Sequence, residues 1–152
     1  IRISCLLDRY VDGCVEVVGD DGLSHGQTNA NGCAETQVPT PELKIQDLDV
    51  DWKVLPSTLM YEILSFPNFI EEADAAIYSA FDHANPPDYS EGFEERQDQY
   101  AILGGKAASL AKQFRHKYKL PNLEYGNWNP IEVMEKRRKL QVCSINFVLG
   151  II

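Results

Sequence analysis

The longest regular pattern of apolar and polar positions in the chain runs over 94–119. Apolar residues recur there at spacings of three, four and seven: Phe93, Tyr100, Leu103, Ala107, Leu110, Phe114 and Tyr118. That spacing places them on one face of an α-helix with 3.6 residues per turn. Acidic residues gather near its beginning and basic residues near its end, as the helix dipole favours. We therefore predict one long amphipathic helix as the element around which the chain is organised.

Two adjacent glycines, Gly104 and Gly105, interrupt this helix near its middle. Compared with two alanines, they lower the helix propensity by about 2 kcal/mol. This loss indicates either the close approach of another element, a bend, or a division into two shorter helices.

Three further segments have helical patterns. Leu59–Leu64 follows a capping residue at Ser57 or Thr58, and Pro67 separates it from a helix over Asn68–His83. A third helix begins at Asn129-Pro130-Ile131-Glu132, where Asn caps the helix, Pro takes the first position and Glu the third. It extends to about residue 139.

The first third of the chain has the features of β structure. Apolar and β-branched residues run through four short segments: Ile1–Leu7, Cys14–Val18, Leu23–Thr28 and Cys33–Val38. Turn motifs containing glycine separate them: Asp12-Gly13, Asp20-Asp21-Gly22 and Asn31-Gly32. Asn-Gly in particular is a strong hairpin signal. We expect an antiparallel β region, extended by a bulged strand over Leu43–Leu55.

Part of this region is similar to a known family. The residues on which this similarity rests are Val15 and Val17, then Asp20-Asp21-Gly22, Gly26-x-Thr28, Asn31-Gly32 and Val38-Pro39. Over residues 15–39 the pattern resembles part of a prealbumin-like (transthyretin-like) β-sandwich. The resemblance implies short strands joined by tight turns, in which the motif is scaffold. It implies no functional residue.

The end of the chain, Leu140–Ile152, is mostly apolar and predicts a strand that returns to the sheet. Together these elements predict an α+β fold in one domain, 1–152. Its parts are a β-rich region over 1–55, a layer of three to four helices over 57–139 and the terminal strand over 140–152. That strand alternatively adds to the sheet of a partner and forms an oligomer.

The charge of the chain narrows the classes of partner. Asp and Glu number 23 against 14 Lys and Arg, which gives a formal net charge of −9. Nucleic acids and anionic membranes attract basic proteins, so we expect neither as a partner. No apolar run reaches the ~18 residues of a spanning helix. Asp47, Asp49 and Asp51 would face solvent on a strand rather than surround a cation, and we expect no metal or cofactor.

The four cysteines, Cys5, Cys14, Cys33 and Cys143, do not have the spacing of a zinc site. Their even number is compatible with two disulfides, for which we favour Cys14–Cys33 and Cys5–Cys143. Four free buried thiols are the alternative. Disulfides would favour an extracellular or secretory location. A chain that begins with Ile1 is compatible with a removed signal peptide or with trimming.

An aromatic loop with several amide side chains is the preferred binding site: Tyr125, Asn127, Trp128 and Asn129. Exposed Tyr and Trp beside amides suit a sugar or a peptide. Alternatively, both rings fill the core beside the helix that follows. The basic cluster Lys136–Lys139 either binds a phosphate or an acidic partner, or is the solvated end of that helix.

No motif of a known catalytic site occurs in the chain. We therefore expect a non-enzymatic interaction module, secreted or surface-exposed, that binds a protein or glycan partner. Two alternatives remain. One is a small hydrolase or lyase whose site combines Asp82, His83 and either Tyr100 or Tyr125. The other is a subunit of a larger assembly.

Overall fold

The computed structural model describes residues 1–148, and this part of the chain folds into a bundle of four α-helices. The helices are α1 (Arg2–Val18), α2 (Ser57–His83), α3 (Ser90–Tyr118) and α4 (Pro130–Val148). Two 3-10 turns, Ile45–Asp47 and Trp52–Val54, lie in the long loop between α1 and α2. The helix predicted over 94–119 is confirmed by α3, which ends one residue earlier, at Tyr118.

The predicted α+β fold is wrong. Residues 1–148 contain no strand, and their only β pairing is an isolated bridge between Ser24 and Gln27. Helix α3 takes the central position instead, because it packs against each of the other three helices. Its buried apolar residues form much of the core: Phe93, Tyr100, Ala101, Leu103, Ala107, Leu110, Ala111 and Phe114.

The strands predicted over 1–7 and 14–18 belong to α1. Its buried residues recur with helical spacing: Ile3, Leu7, Tyr10, Val11, Cys14, Val15 and Val17. Gly13, interpreted as part of a turn, lies inside the helix. A Cβ added at Gly13 would come within 2.5 Å of the Pro41 Cβ, so glycine serves the close contact between α1 and the loop.

The loop over 19–56 replaces the remaining predicted strands, including those over 23–28, 33–38 and 43–55. Residues 15–18, at the start of the segment resembling a prealbumin-like sandwich, end α1, and the rest of that segment lies in this loop. Leu43 and Ile45 are buried in the core, whereas Asp47, Asp49 and Asp51 are exposed.

A buried carboxylate on Asp20 holds this loop against α3. Its Oδ1 accepts a hydrogen bond from the Gly22 N–H at 3.0 Å, and its Oδ2 accepts from the N–H groups of Gln37 and Val38 at 2.9 and 3.0 Å. The Arg96 guanidinium donates to Oδ2 at 2.8 Å, and the Arg96 and Asp20 side chains are 4% and 1% exposed. Burial alone would raise the pKa of Asp20, but these hydrogen bonds outweigh it and lower that pKa.

Helix α2 is continuous, although two helices separated by Pro67 were predicted. Proline removes one main-chain hydrogen bond from a helix interior. Buried apolar residues on both sides of it, Ile63, Phe66 and Ala73, pack into the core, and this packing keeps the two segments in one helix.

The strand predicted over 140–152 is also wrong where the structure tests it. Residues 140–148 continue α4, and residues 149–152 lie outside the described part of the chain. The side chains of Val142, Ile145 and Phe147 are exposed rather than covered by a sheet. The predicted oligomer loses the strand over 140–148 on which it was based, and oligomerisation itself stays a prediction.

Helices α1, α3 and α4 approach one another closely at Gly104. Of the alternatives offered for the two adjacent glycines, close approach therefore explains Gly104. Helix α3 is a single helix and is not divided into two. A Cβ at Gly104 would overlap the Met134 sulfur and lie 2.9 Å from the Cys14 Cβ. At Gly105 the nearest atom, the Arg138 Nη1, would be 3.8 Å away, an ordinary contact.

We predict opposite effects for the two alanine substitutions. Gly104→Ala should lower the free energy of unfolding by about 1–3 kcal/mol, because the added methyl group overpacks the core. Gly105→Ala should raise it by up to about 1 kcal/mol through helix propensity. Urea denaturation followed by circular dichroism measures both. Equal effects of the two substitutions would contradict the close packing at Gly104.

Asp20→Asn should destabilise the protein by about 3–5 kcal/mol, because it leaves the Arg96 charge buried without a counterion. Asp21→Asn is the matched control, since Asp21 is exposed and its side chain accepts one hydrogen bond, from the Leu23 N–H. Because the pKa of Asp20 is lowered in the folded state, its contribution is present above its ordinary pKa. It is lost as the pH falls below about 4, through the lowered pKa. Urea denaturation at decreasing pH should therefore bring Asp20→Asn closer to the wild type.

Candidate functional site

A wide cleft of about 940 Å³ lies where α3 ends and α2 begins. Its basic residues come from the last turns of α3 and the residue that follows: Lys112, Arg115, His116, Lys117 and Lys119. Apolar side chains from Pro56, Leu59 and Leu120 also line it. We call this surface the basic cleft.

The end of α3 forms one side of the basic cleft. Lys119 adopts a left-handed conformation (φ +52°), and the Leu120 N–H donates to the Arg115 carbonyl at 2.9 Å. This is a common way for a helix to end, and it turns the chain sharply. Leu120 and Asn122 consequently line the same cleft as the last turns of the helix.

The basic cleft concentrates positive charge in an acidic chain. Four of the 14 Lys and Arg residues line it, together with His116, and none of the acidic residues in the described part of the chain does. The Arg115 guanidinium pairs with the Asp8 carboxylate of α1, which offsets its charge. Within the described part of the chain, the side chains of Lys112, Lys117 and Lys119 form no ion pair. These three ammonium groups are exposed and available to an anion.

A smaller cavity of about 270 Å³ adjoins the basic cleft, and we call it the side pocket. Both cavities are lined by Lys112, Arg115 and Asn122. The other residues of the side pocket are Ala108, Leu123, Tyr125 and Ile131.

The phenol of Tyr125 remains protonated at neutral pH. Its burial raises the pKa of Tyr125, the carboxylates of Asp8 and Asp12 raise it further, and the Arg115 cation opposes them. Tyr125 is therefore a neutral group that can donate a hydrogen bond to a ligand.

The four residues of the predicted binding loop occupy different environments. Tyr125 lines the side pocket. Asn127 and Trp128 are exposed, and Trp128 keeps 57% of its surface accessible. Asn129 caps α4, because its Oδ1 accepts from the Ile131 N–H at 3.0 Å. Binding by these four residues stays a prediction, and Tyr125 is the one that adjoins the cleft.

The sequence also contained a signal for the basic cleft, but the basic residues at the end of α3 were attributed to the helix dipole. Lys112, Arg115, His116 and Lys119 are spaced by three, one and three residues, so they share one side of a helix. Such a face ordinarily points into solvent. Only the fold shows that Pro56 and Leu59, from another segment, line the same cavity as these cations.

The predicted basic cluster Lys136–Lys139 does not form one surface. The Arg137 guanidinium donates to Asp98 at 2.6 Å and to the Glu94 carbonyl at 3.4 Å, which ties α4 to α3. Arg138 and Lys139 line a different, mostly apolar cavity on α4.

The residues of the hydrolase or lyase alternative do not gather in one place. The His83 ring contacts the Ser79 carbonyl at 2.8 Å, within α2. The buried Tyr100 donates to Asp74 at 3.1 Å, while Tyr125 lies in the side pocket. Over residues 1–148, no His lies within hydrogen-bond distance of a carboxylate, and no group of three or more His, Cys, Asp or Glu residues could hold a metal ion.

Comparisons with other proteins give no relative for this chain: no family model, curated protein or solved structure matches it. In the described residues, no helix is both long and apolar enough to cross a membrane.

The predicted disulfides are not formed, because all four cysteines are free. Cys14 is buried in α1, whereas Cys33 is in the loop, and Cys5 and Cys143 are exposed on α1 and α4. Helical packing of α1 directs Cys14 into the core against α3 rather than towards the loop. The extracellular or secretory location loses the support of the disulfides and stays a prediction.

We predict that alkylation of the native protein without reductant modifies Cys5 and Cys143 first. Cys14 should react only after unfolding, because burial keeps reagent out and raises the pKa of its thiol. Intact mass before and after denaturation measures the number of alkyl groups. Modification that begins only after reduction would contradict the free thiols.

Proposed function

We propose that the protein is a non-enzymatic binding module that takes an acidic segment of a protein partner into the basic cleft. The supporting observation is the exposed group of Lys112, Lys117 and Lys119 in a concave surface without carboxylates. The chain as a whole is acidic, with a formal net charge of −9. A local positive surface of this kind attracts an anion and orients it, while the remaining surface disfavours long polyanions.

The apolar residues of the cleft favour a peptide over other anions. Pro56, Leu59 and Leu120 lie among the cations, so an occupant gains from both carboxylates and apolar groups. Acidic protein segments offer both kinds of group. The volume of about 940 Å³ lies at the upper end of the range for ligand pockets, which suits several residues rather than one small anion.

A sulfated glycan is the second candidate, because it also carries closely spaced negative charges. It offers little apolar surface for Leu59 and Leu120, so we favour the peptide. The exposed Trp128 would suit a sugar ring, but it does not line the cleft. The experiment therefore includes both ligands.

We expect the double variant Lys112→Glu/Lys119→Glu to bind an acidic peptide at least about tenfold more weakly than the wild type. Reversal of two charges replaces attraction by repulsion in the basic cleft, and tenfold corresponds to about 1.4 kcal/mol. The probe is a labelled peptide of Glu and Gly residues, measured by fluorescence anisotropy at low ionic strength. Its affinity should fall as salt is added.

The matched control is Lys53→Glu/Lys136→Glu, which changes the net charge equally. Both lysines are exposed and line neither the basic cleft nor the side pocket. Equal weakening by both double variants would show that net charge alone drives binding, and would overturn the proposal. Binding of a sulfated glycan fragment in preference to the peptide would favour the glycan instead. Circular dichroism should show the same helix content in all three proteins.

A further inference from the structure

The side pocket differs from the basic cleft in the chemistry of its wall. Ala108, Leu123 and Ile131 contribute apolar groups, and Tyr125 adds the face and hydroxyl of a phenol. The cations Lys112 and Arg115 belong to the edge that the two cavities share. A ligand that reaches from one cavity into the other therefore passes from a charged to a mostly apolar environment.

The shared edge carries one cation that is available to a ligand. Arg115 is paired with Asp8, whereas Lys112 has no ion pair in the described part of the chain. The amide of Asn122 lines the same edge and adds a hydrogen-bond donor. A carboxylate is therefore held best at the edge, beside Lys112 and Asn122.

The interior of the side pocket disfavours a second carboxylate. Apart from the two cations at the shared edge, its described lining is Ala108, Asn122, Leu123, Tyr125 and Ile131, which offer a buried carboxylate no counterion. A neutral group avoids the cost of burying a charge and gains from contact with Leu123 and Ile131. The volume of about 270 Å³ is below the range for drug-sized ligands, which suits a single side chain.

We infer that the side pocket takes an apolar side chain that stands next to an acidic residue in the partner segment. The acidic residue binds Lys112 at the shared edge, and the neighbouring apolar side chain enters between Ala108, Leu123 and Tyr125. This inference rests on the proposed function and adds a sequence preference to it, namely an acidic residue beside an apolar one.

The test compares two labelled peptides that differ at one position. The first is the peptide of Glu and Gly residues, and the second carries one Leu in place of a central Gly. We expect the wild type to bind the Leu peptide about tenfold more tightly, because burial of a Leu side chain favours binding by more than its ordering opposes it. Fluorescence anisotropy at one fixed salt concentration measures both affinities.

Two substitutions in the side pocket should remove this preference. Ala108→Leu fills the pocket, and Leu123→Ala removes part of its wall. In both variants the two peptides should bind equally, with the affinity that the wild type has for the Glu and Gly peptide. Leu64→Ala is the matched control, because Leu64 is about half exposed, like Leu123, and lines neither the side pocket nor the basic cleft. It should keep the full preference.

The outcomes separate this inference from the proposed function. If neither peptide binds the wild type, the proposed function fails and the inference fails with it. If both peptides bind the wild type equally, the basic cleft stands and the side pocket has no role in recognition. A preference for Leu that persists in both Ala108→Leu and Leu123→Ala would also overturn the inference, because the Leu side chain would then bind elsewhere. Urea denaturation should confirm that Ala108→Leu remains folded, and Leu123→Ala supplies an independent result if it does not.

Discussion

The carboxylate of Asp20 attaches the long loop between α1 and α2 to the helical bundle. It accepts four hydrogen bonds, one from the nearby Gly22 and three from Gln37, Val38 and Arg96, which are distant in sequence. Removing a carboxylate and a guanidinium from water is unfavourable, and it is tolerated only when both are fully hydrogen-bonded. The arrangement therefore exists in one geometry, with the loop fixed on α3. Because the same loop leads into Pro56, it also determines where the wall of the basic cleft lies.

Charge is distributed in a way that the net value conceals. Acidic residues dominate the surface, yet the end of α3 gathers cations that its own helix dipole favours. The stability of the helix and the binding of an anion therefore favour the same basic residues at the end of α3. What distinguishes the basic cleft from an ordinary helix end is its shape, since Leu59 and Leu120 line one cavity together with the cations. Among these cations, Arg115 has the clearest structural role, because its ion pair with Asp8 joins α3 to α1 and neutralises the guanidinium charge.

The sequence predicted correctly those parts of the fold that depend on interactions within a single helix. The periodicity of α3 and the Asn129 cap of α4 were recognised correctly, because each signal lies within one helix. Helix α1 was missed because Gly13 and the β-branched residues imitate a hairpin, and the contact with Pro41 that explains Gly13 is tertiary. For the site, Tyr125 could be selected as an aromatic loop residue. Lys112 could not be selected, because the basic residues of a solvated helix face and those of a binding surface follow the same sequence pattern. Only a second segment beside the helix distinguishes the two.

Gly104 has a consequence for how this protein can vary. Three helices meet there, and the space for a side chain is already taken by the Met134 sulfur and the Cys14 Cβ. A larger residue at one of these three positions therefore requires a smaller one at another, so the effects of such changes on stability will not add independently. Homologous chains should accordingly show correlated substitutions at positions 14, 104 and 134, even though these positions lie in three different helices and far apart in the sequence.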